Sequence, residues 1–168
     1  MTNLTNKIIS NTHDLFQSFQ LLTTEQLNHC PKPESWSILQ NVEHVFLVDV
    51  GIAKILAMPA SADADSQPTE RYGDQKLNTM LTNRGYKVSA PDFVRPKGRL
   101  KTADEARQNI NIIIDKITDH LQRHPIELET QTFKHQFLGE MTKTDWVHFL
   151  IHHTSRHILQ IEEIKKNL

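Results

Sequence analysis

The chain has 168 residues, enough for one domain, spanning 1–168, with a real core. Nineteen basic side chains nearly balance twenty acidic ones, so a formal charge of −1 gives no global pull toward nucleic acid or an anionic membrane. Cys30 is the single cysteine, which excludes an internal disulfide and any thiolate cluster. No apolar run approaches the roughly 20 residues that span a bilayer. Met1 to Leu15 lacks the basic start and apolar stretch of a secretory signal, so a cytoplasmic location is expected.

Four stretches read as helices. The first is predicted from Leu4 to Leu22, with Ile8, Ile9, Leu15, Phe16, Phe19 and Leu22 at helical spacing. The second begins at Trp36-Ser37, where Ser37 and Gln40 have the spacing of a capping box, and continues to Pro59. Apolar residues cover most of its circumference, so a central, buried helix is expected. A long polar link from Met58 to Lys101 follows, holding Pro59, Pro68, Pro91 and Pro96. Within it Ala60 to Thr69 is expected to be mobile and Gln75 to Arg84 to form a short helix. A connection of that length is uncommon unless it crosses a bundle or covers a site.

The third helix opens at Thr102-Ala103-Asp104-Glu105, again a capping-box pattern with acids at the positive end of the dipole. Its stripe is Ile110, Ile113, Ile114, Ile117 and Leu121, and Pro125 ends it. Ile126 to Glu140 is non-helical in pattern, with an extended piece expected around Thr130 to Phe137. The fourth helix starts near Thr142 with Asp145 in the capping position, and closes with Lys165 and Lys166 at its negative end. Together these predict an all-α four-helix bundle with a long crossover connection between helices 2 and 3.

Histidine carries the chemistry. Five of the ten histidines lie between His135 and His157, not in the terminal run an affinity tag would make. His153 and His157 are four residues apart, so both project from one side of a helix. On a wheel of about 100° per residue they share a direction with Trp146, Leu150, Gln160, Ile161 and Ile164. His44 shares its direction with Leu47, Val48, Gly51 and Ile55, with Gln40 and Ser37 on the same side. Three inward imidazoles on two helices can close three positions of a tetrahedral metal site and leave the fourth to water or substrate. The alternative is a set of hydrogen-bonded core histidines, since a buried imidazole needs partners whether or not a metal supplies them. The second four-residue pair, His148 and His152, points to the flank of Asp145 and Glu163 and is expected at the surface or rim. His13, His29, His120, His124 and His135 are expected at the surface. Glu43 points about 100° away from His44, which suits a solvated or capping residue better than a general base.

At these residues the sequence resembles the DinB-like superfamily of metal-binding bundles. Such proteins open a helix with Pro-x-x-Trp-Ser and place a histidine about eight residues after the tryptophan. Here that reads Pro33-Glu34-Ser35-Trp36-Ser37 through His44. Toward the C-terminus they carry an aromatic residue, His-x-x-x-His and a Gln-Ile element. Here these are Trp146, His153-Thr154-Ser155-Arg156-His157 and Gln160-Ile161. Phe137 to Thr142 resembles the family's lead-in to its last helix, and Ala90 to Pro96 resembles a branch without an assigned activity.

The resemblance spans nearly the whole chain. It implies a four-helix bundle with a divalent metal ion, zinc or nickel foremost, held by His44, His153 and His157 plus water. It also implies metal-dependent transfer chemistry with a low-molecular-weight thiol, as in members that use bacillithiol or mycothiol. Metal-assisted hydrolysis and a non-enzymatic metal- or small-molecule-binding bundle are the alternatives. The expected partner is a small molecule, a thiol or an electrophile, and helix pairing into a homodimer is implied. No catalytic acid or base stands at a fixed offset from the ligands; Gln40 or Gln160 is left to orient a histidine or a substrate.

Overall fold

The computed structural model describes residues 2–59, 72–85, 89–124 and 127–168. Helix α1 (Thr2–Phe19) buries Ile8, Leu15 and Phe19 on one face. It stops short of the expected Leu22 because Leu21 adopts a left-handed conformation (φ 63°) and turns outward. A one-turn helix that the apolar pattern did not announce, α2 (Thr24–Asn28), follows. Its capping box, Thr23 with Gln26, has the same spacing as Ser37 with Gln40.

Helix α3 (Ile38–Ala57) starts with Ser37 and Gln40 closing the reciprocal box, as the sequence implied. Its C-terminus is closed from a distance. The wholly buried Lys143 donates from Nζ to the carbonyls of Leu56 at 2.6 Å and Met58 at 2.9 Å. A cation at that end satisfies orphan carbonyls and opposes the negative end of the helix dipole.

The link after α3 holds helix α4 (Gly73–Thr82) where a short helix was expected, and a 3-10 turn at Asp92–Val94. The Ala60 to Thr69 stretch lies outside the described residues. Helix α5 (Ala103–Arg123) buries Ala106, Ile110, Ile114, Ile117 and Leu121. Its expected capping box is half formed. Thr102 accepts from the Glu105 amide, but the Glu105 carboxylate accepts from Lys101 N at 2.8 Å instead of Thr102 N.

After the short α6 (Glu127–Thr130) comes a hairpin, the one departure from a purely helical chain among the described residues. Strand β1 (Thr132–His135) pairs antiparallel with β2 (Gly139–Thr142), with Thr132 opposite Thr142 and His135 opposite Gly139. The extended piece expected at Thr130 to Phe137 is thus only its first arm. His135, expected at the surface, is half-buried. Its Nδ1 accepts from the amides of Phe137 and Leu138, both at 3.1 Å, and its ring packs on Trp146 and Phe149.

Helix α7 (Lys143–Lys165) begins with Thr142, not Asp145, as N-cap; Asp145 is the N3 partner that completes the box. The chain is mostly α-helical, with α7 packed against α1, α3 and α4, and α5 against α1 and α3. Side-chain bonds fix the directions. Lys143 reaches the end of α3 while Asn41 meets His157, so α3 and α7 are antiparallel. Gly73 meets Asp145, Leu81 meets Arg156 and Arg84 meets Glu163, so α4 runs alongside α7 in the same sense. No described helix is long and apolar enough to cross a membrane.

Candidate metal centre

The antiparallel register of α3 and α7 brings His44, His153 and His157 together, with side-chain donor atoms within 4.8 Å of one another. All three are buried, at 5, 9 and 4% exposure. His153 Nε2 lies 3.2 Å from His44 Nε2 and 3.3 Å from His157 Nε2. A tetrahedral ion with metal–nitrogen bonds of about 2.0–2.1 Å has ligand–ligand edges of about 3.3–3.4 Å. The two separations from His153 thus have the length of such an ion's ligand–ligand edges, and the third lies within 4.8 Å.

Their outer hydrogen bonds fix the tautomers. His44 Nδ1 lies 2.8 Å from the Val94 carbonyl, which can only accept, so the ring hydrogen is on Nδ1 and Nε2 is a bare lone pair. Asn41 Nδ2 donates to the Ser37 carbonyl at 2.9 Å, which turns Asn41 Oδ1 toward His157 Nδ1 at 3.0 Å. His157 therefore also presents a bare Nε2. A hydrogen on His153 Nε2 can serve one of these two acceptors but not both. At least one buried lone pair is left without a proton, and His153 Nδ1 is itself buried without a hydrogen-bond partner. A divalent cation would answer all three Nε2 lone pairs at once, so the donor set fits such an ion.

Electrostatics keep the rings in the ligating state. Burial lowers the pKa of His44, with the Val94 hydrogen bond opposing it in part. Burial drives His153 and His157 well below the ordinary imidazole value, and the neighbouring histidines and Arg156 add to it. Neutral imidazole, the form that binds metal, is the resting form near pH 7.

The rings are held by stacking and by a backbone brace. Trp36, in the turn before α3, packs over His44 at 4.9 Å between centroids and lies stacked over His157 at 6.5 Å. Phe149 stacks on His153 at 5.4 Å. Glu43 is neither solvated nor a cap. It is buried, and its carboxylate accepts from Lys97 N at 2.8 Å and Arg99 N at 3.0 Å. That anchors the segment whose Val94 carbonyl orients His44. Gln40 spends its carbonyl on the cap at Ser37, and Gln160 Oε1 has no hydrogen-bond partner, so neither orients a ligand. Asn41 has that role. The signal was available, because Asn41 is a polar residue three positions before His44 on the inward side of α3.

The flank expected to be wet is covered by α4. His148 and His152 are only 12 and 13% exposed in their side chains and face Asp74. Cys30 is exposed, at the edge of a cavity of about 110 Å³ that Gln40 and Glu43 also line.

The family model of the DinB superfamily matches residues 8–161. An uncharacterized protein of Bacillus subtilis (strain 168), YuaE, is 25% identical over 147 residues, 88% of each chain. No solved structure gives a significant match.

Proposed function

The chain belongs to the DinB superfamily, and from that premise we propose that His44, His153 and His157 hold one divalent ion, zinc or nickel, for reaction with a small molecule. The observation that carries the reading is the convergence of three Nε2 atoms, those of His44 and His157 bared by the hydrogen bonds their rings make to Val94 and Asn41. We read the four long helices as a four-helix bundle with a long crossover, in a cytoplasmic protein that pairs into a homodimer.

A divalent ion on three neutral nitrogens keeps its full charge, so it would acidify a water or a thiol at its fourth position, to a pKa of about 7 for water in favourable zinc cases. The residues favour a thiol over hydrolysis. Hydrolytic chemistry needs a carboxylate or imidazole free to move protons. Glu43, the nearest acid in sequence, has both oxygens committed to the Lys97 and Arg99 amides. Thiol transfer makes less demand of that kind, since an ionised thiol is itself the nucleophile. Trp36 and Phe149 supply an apolar wall that excludes water beside the ligands.

The low exposure of the three histidines favours the rival, a non-enzymatic bundle with a sealed ion. Cobalt(II) substitution separates the two. Visible bands that change on adding a low-molecular-weight thiol support the transferase reading. Bands of a bound cobalt ion that ignore thiols, azide and cyanide alike leave the sealed bundle.

A further inference from the structure

Helix α7 carries a second histidine pair with the same four-residue spacing, aimed at different neighbours. His148 and His152 stack with centroids 6.5 Å apart and face the start of α4. Asp74 Oδ1 lies 2.6 Å from His152 Nε2 and 3.1 Å from His148 Nδ1, and Lys7 of α1 holds Asp74 Oδ2 at 2.7 Å. The donor atoms of Asp74, His148 and His152 all lie within 4.8 Å of one another. The approach of His148 Nδ1 to the carboxylate is not a hydrogen bond, and that nitrogen is buried without a partner.

We propose that Asp74, His148 and His152 form a second divalent-cation site, of zinc type, on the α4–α7 seam, separate from the three-histidine centre. Two imidazoles and one carboxylate are a common donor set for zinc, with the remaining position left to water. Asp74 is ionised as a ligand must be, since the Lys7 hydrogen bond first, then His152 and His148, holds its pKa at about 2. Burial keeps His148 toward the neutral form. To close around the ion, Asp74 Oδ1 withdraws from His152 Nε2 by about 0.7 Å, to a tetrahedral edge. That is a side-chain adjustment at a residue 41% exposed. Asp145, the other acid at this seam, is occupied by the Gly73 amide and the α7 cap. Lys7 is the built-in competitor, because its charge shares the carboxylate the ion needs.

Zinc alone is the probe, titrated against a chromophoric chelator into the full chain, with helical content checked by circular dichroism. In the His153→Ala/His157→Ala variant, one zinc per chain should remain, and Asp74→Asn should weaken it more than 100-fold. Lys7→Gln should tighten it, by up to about fivefold for an exposed ion pair. If the double histidine variant does not fold, Asp74→Asn in the otherwise native chain decides the matter, since it should lower the zinc stoichiometry by one. Zinc binding that vanishes in the double variant while its fold is kept overturns the proposal. So does binding unchanged by both Asp74→Asn and Lys7→Gln. Loss of all zinc on Asp74→Asn alone would keep this site and refute the three-histidine centre.

Discussion

Helix α7 presents two histidine pairs of identical spacing, and they end in opposite environments. His153 and His157 face α3, where they meet a third imidazole, two outer hydrogen bonds and almost no water. His148 and His152 face α4 and α1, where they meet a carboxylate that is already ion-paired. Spacing alone makes both pairs candidate ligands. What separates them is the neighbouring helix. The first pair is held neutral by burial among lone pairs that cannot satisfy one another; the second sits in a network where an aspartate and a lysine already balance.

The largest effect that would break this contrast is loss of a ligand in the inner cluster. His153→Ala or His44→Ala should cut metal affinity at this cluster by more than 100-fold, read in chelator competition as the loss of one bound ion per chain, because two nitrogens remain where an open site needs three. Retention of affinity in both variants would put the ion elsewhere. Next is Asn41→Leu, which frees His157 to change tautomer and tilt. Affinity should fall about 10–100-fold, the usual cost of losing a group that orients a ligand. Stability should drop as well, by about 1–3 kcal/mol for the unpaired His157 N–H.

Acidification sharpens the contrast differently. Burial holds the folded-state pKa values of His44, His153 and His157 below the ordinary imidazole value, so the unfolded chain binds more protons once pH falls through about 6.5. Stability of the metal-free protein is therefore complete above that pH and declines below it. The slope approaches about 1.4 kcal/mol per pH unit for each histidine that stays neutral when folded. Urea unfolding at pH 7.5 and 5.5 checks the sign in an Asp49→Asn background, which removes a buried carboxyl whose raised pKa acts in the opposite direction; greater stability at the lower pH there would contradict the buried neutral cluster. Glu43→Gln keeps one acceptor of two and should cost about 1–3 kcal/mol, with a smaller loss of metal affinity than Asn41→Leu. The smallest expected effect is His148→Ala, which should leave affinity at the inner cluster within about twofold, since its ring belongs to the other seam.

Much of this was legible in the residues. Ser37 with Gln40 marked the start of α3, and wheel directions put His44, His153 and His157 inward. These are local properties, set by a helix period and a capping geometry within one turn. The failures are long-range. Nothing near Glu43 in sequence shows that it reaches amides at Lys97 and Arg99. Nor could the wheel show that α4 covers His148 and His152, because a wheel gives a direction and not the helix that fills it. Nothing in the sequence around Lys143 shows that it is buried to close α3. Thr23 with Gln26 carried a capping signal as plain as that of Ser37, but the single turn it starts has too few positions to show a period.

The most direct test is elemental analysis of untagged protein purified without chelator and reconstituted with zinc or nickel, native chain beside the His153→Ala/His157→Ala variant. The account predicts that the native chain holds one more metal ion per chain than the variant. Equal metal content in the two, with the fold intact in both, would contradict it and make His44, His153 and His157 core residues of a bundle whose chemistry lies elsewhere.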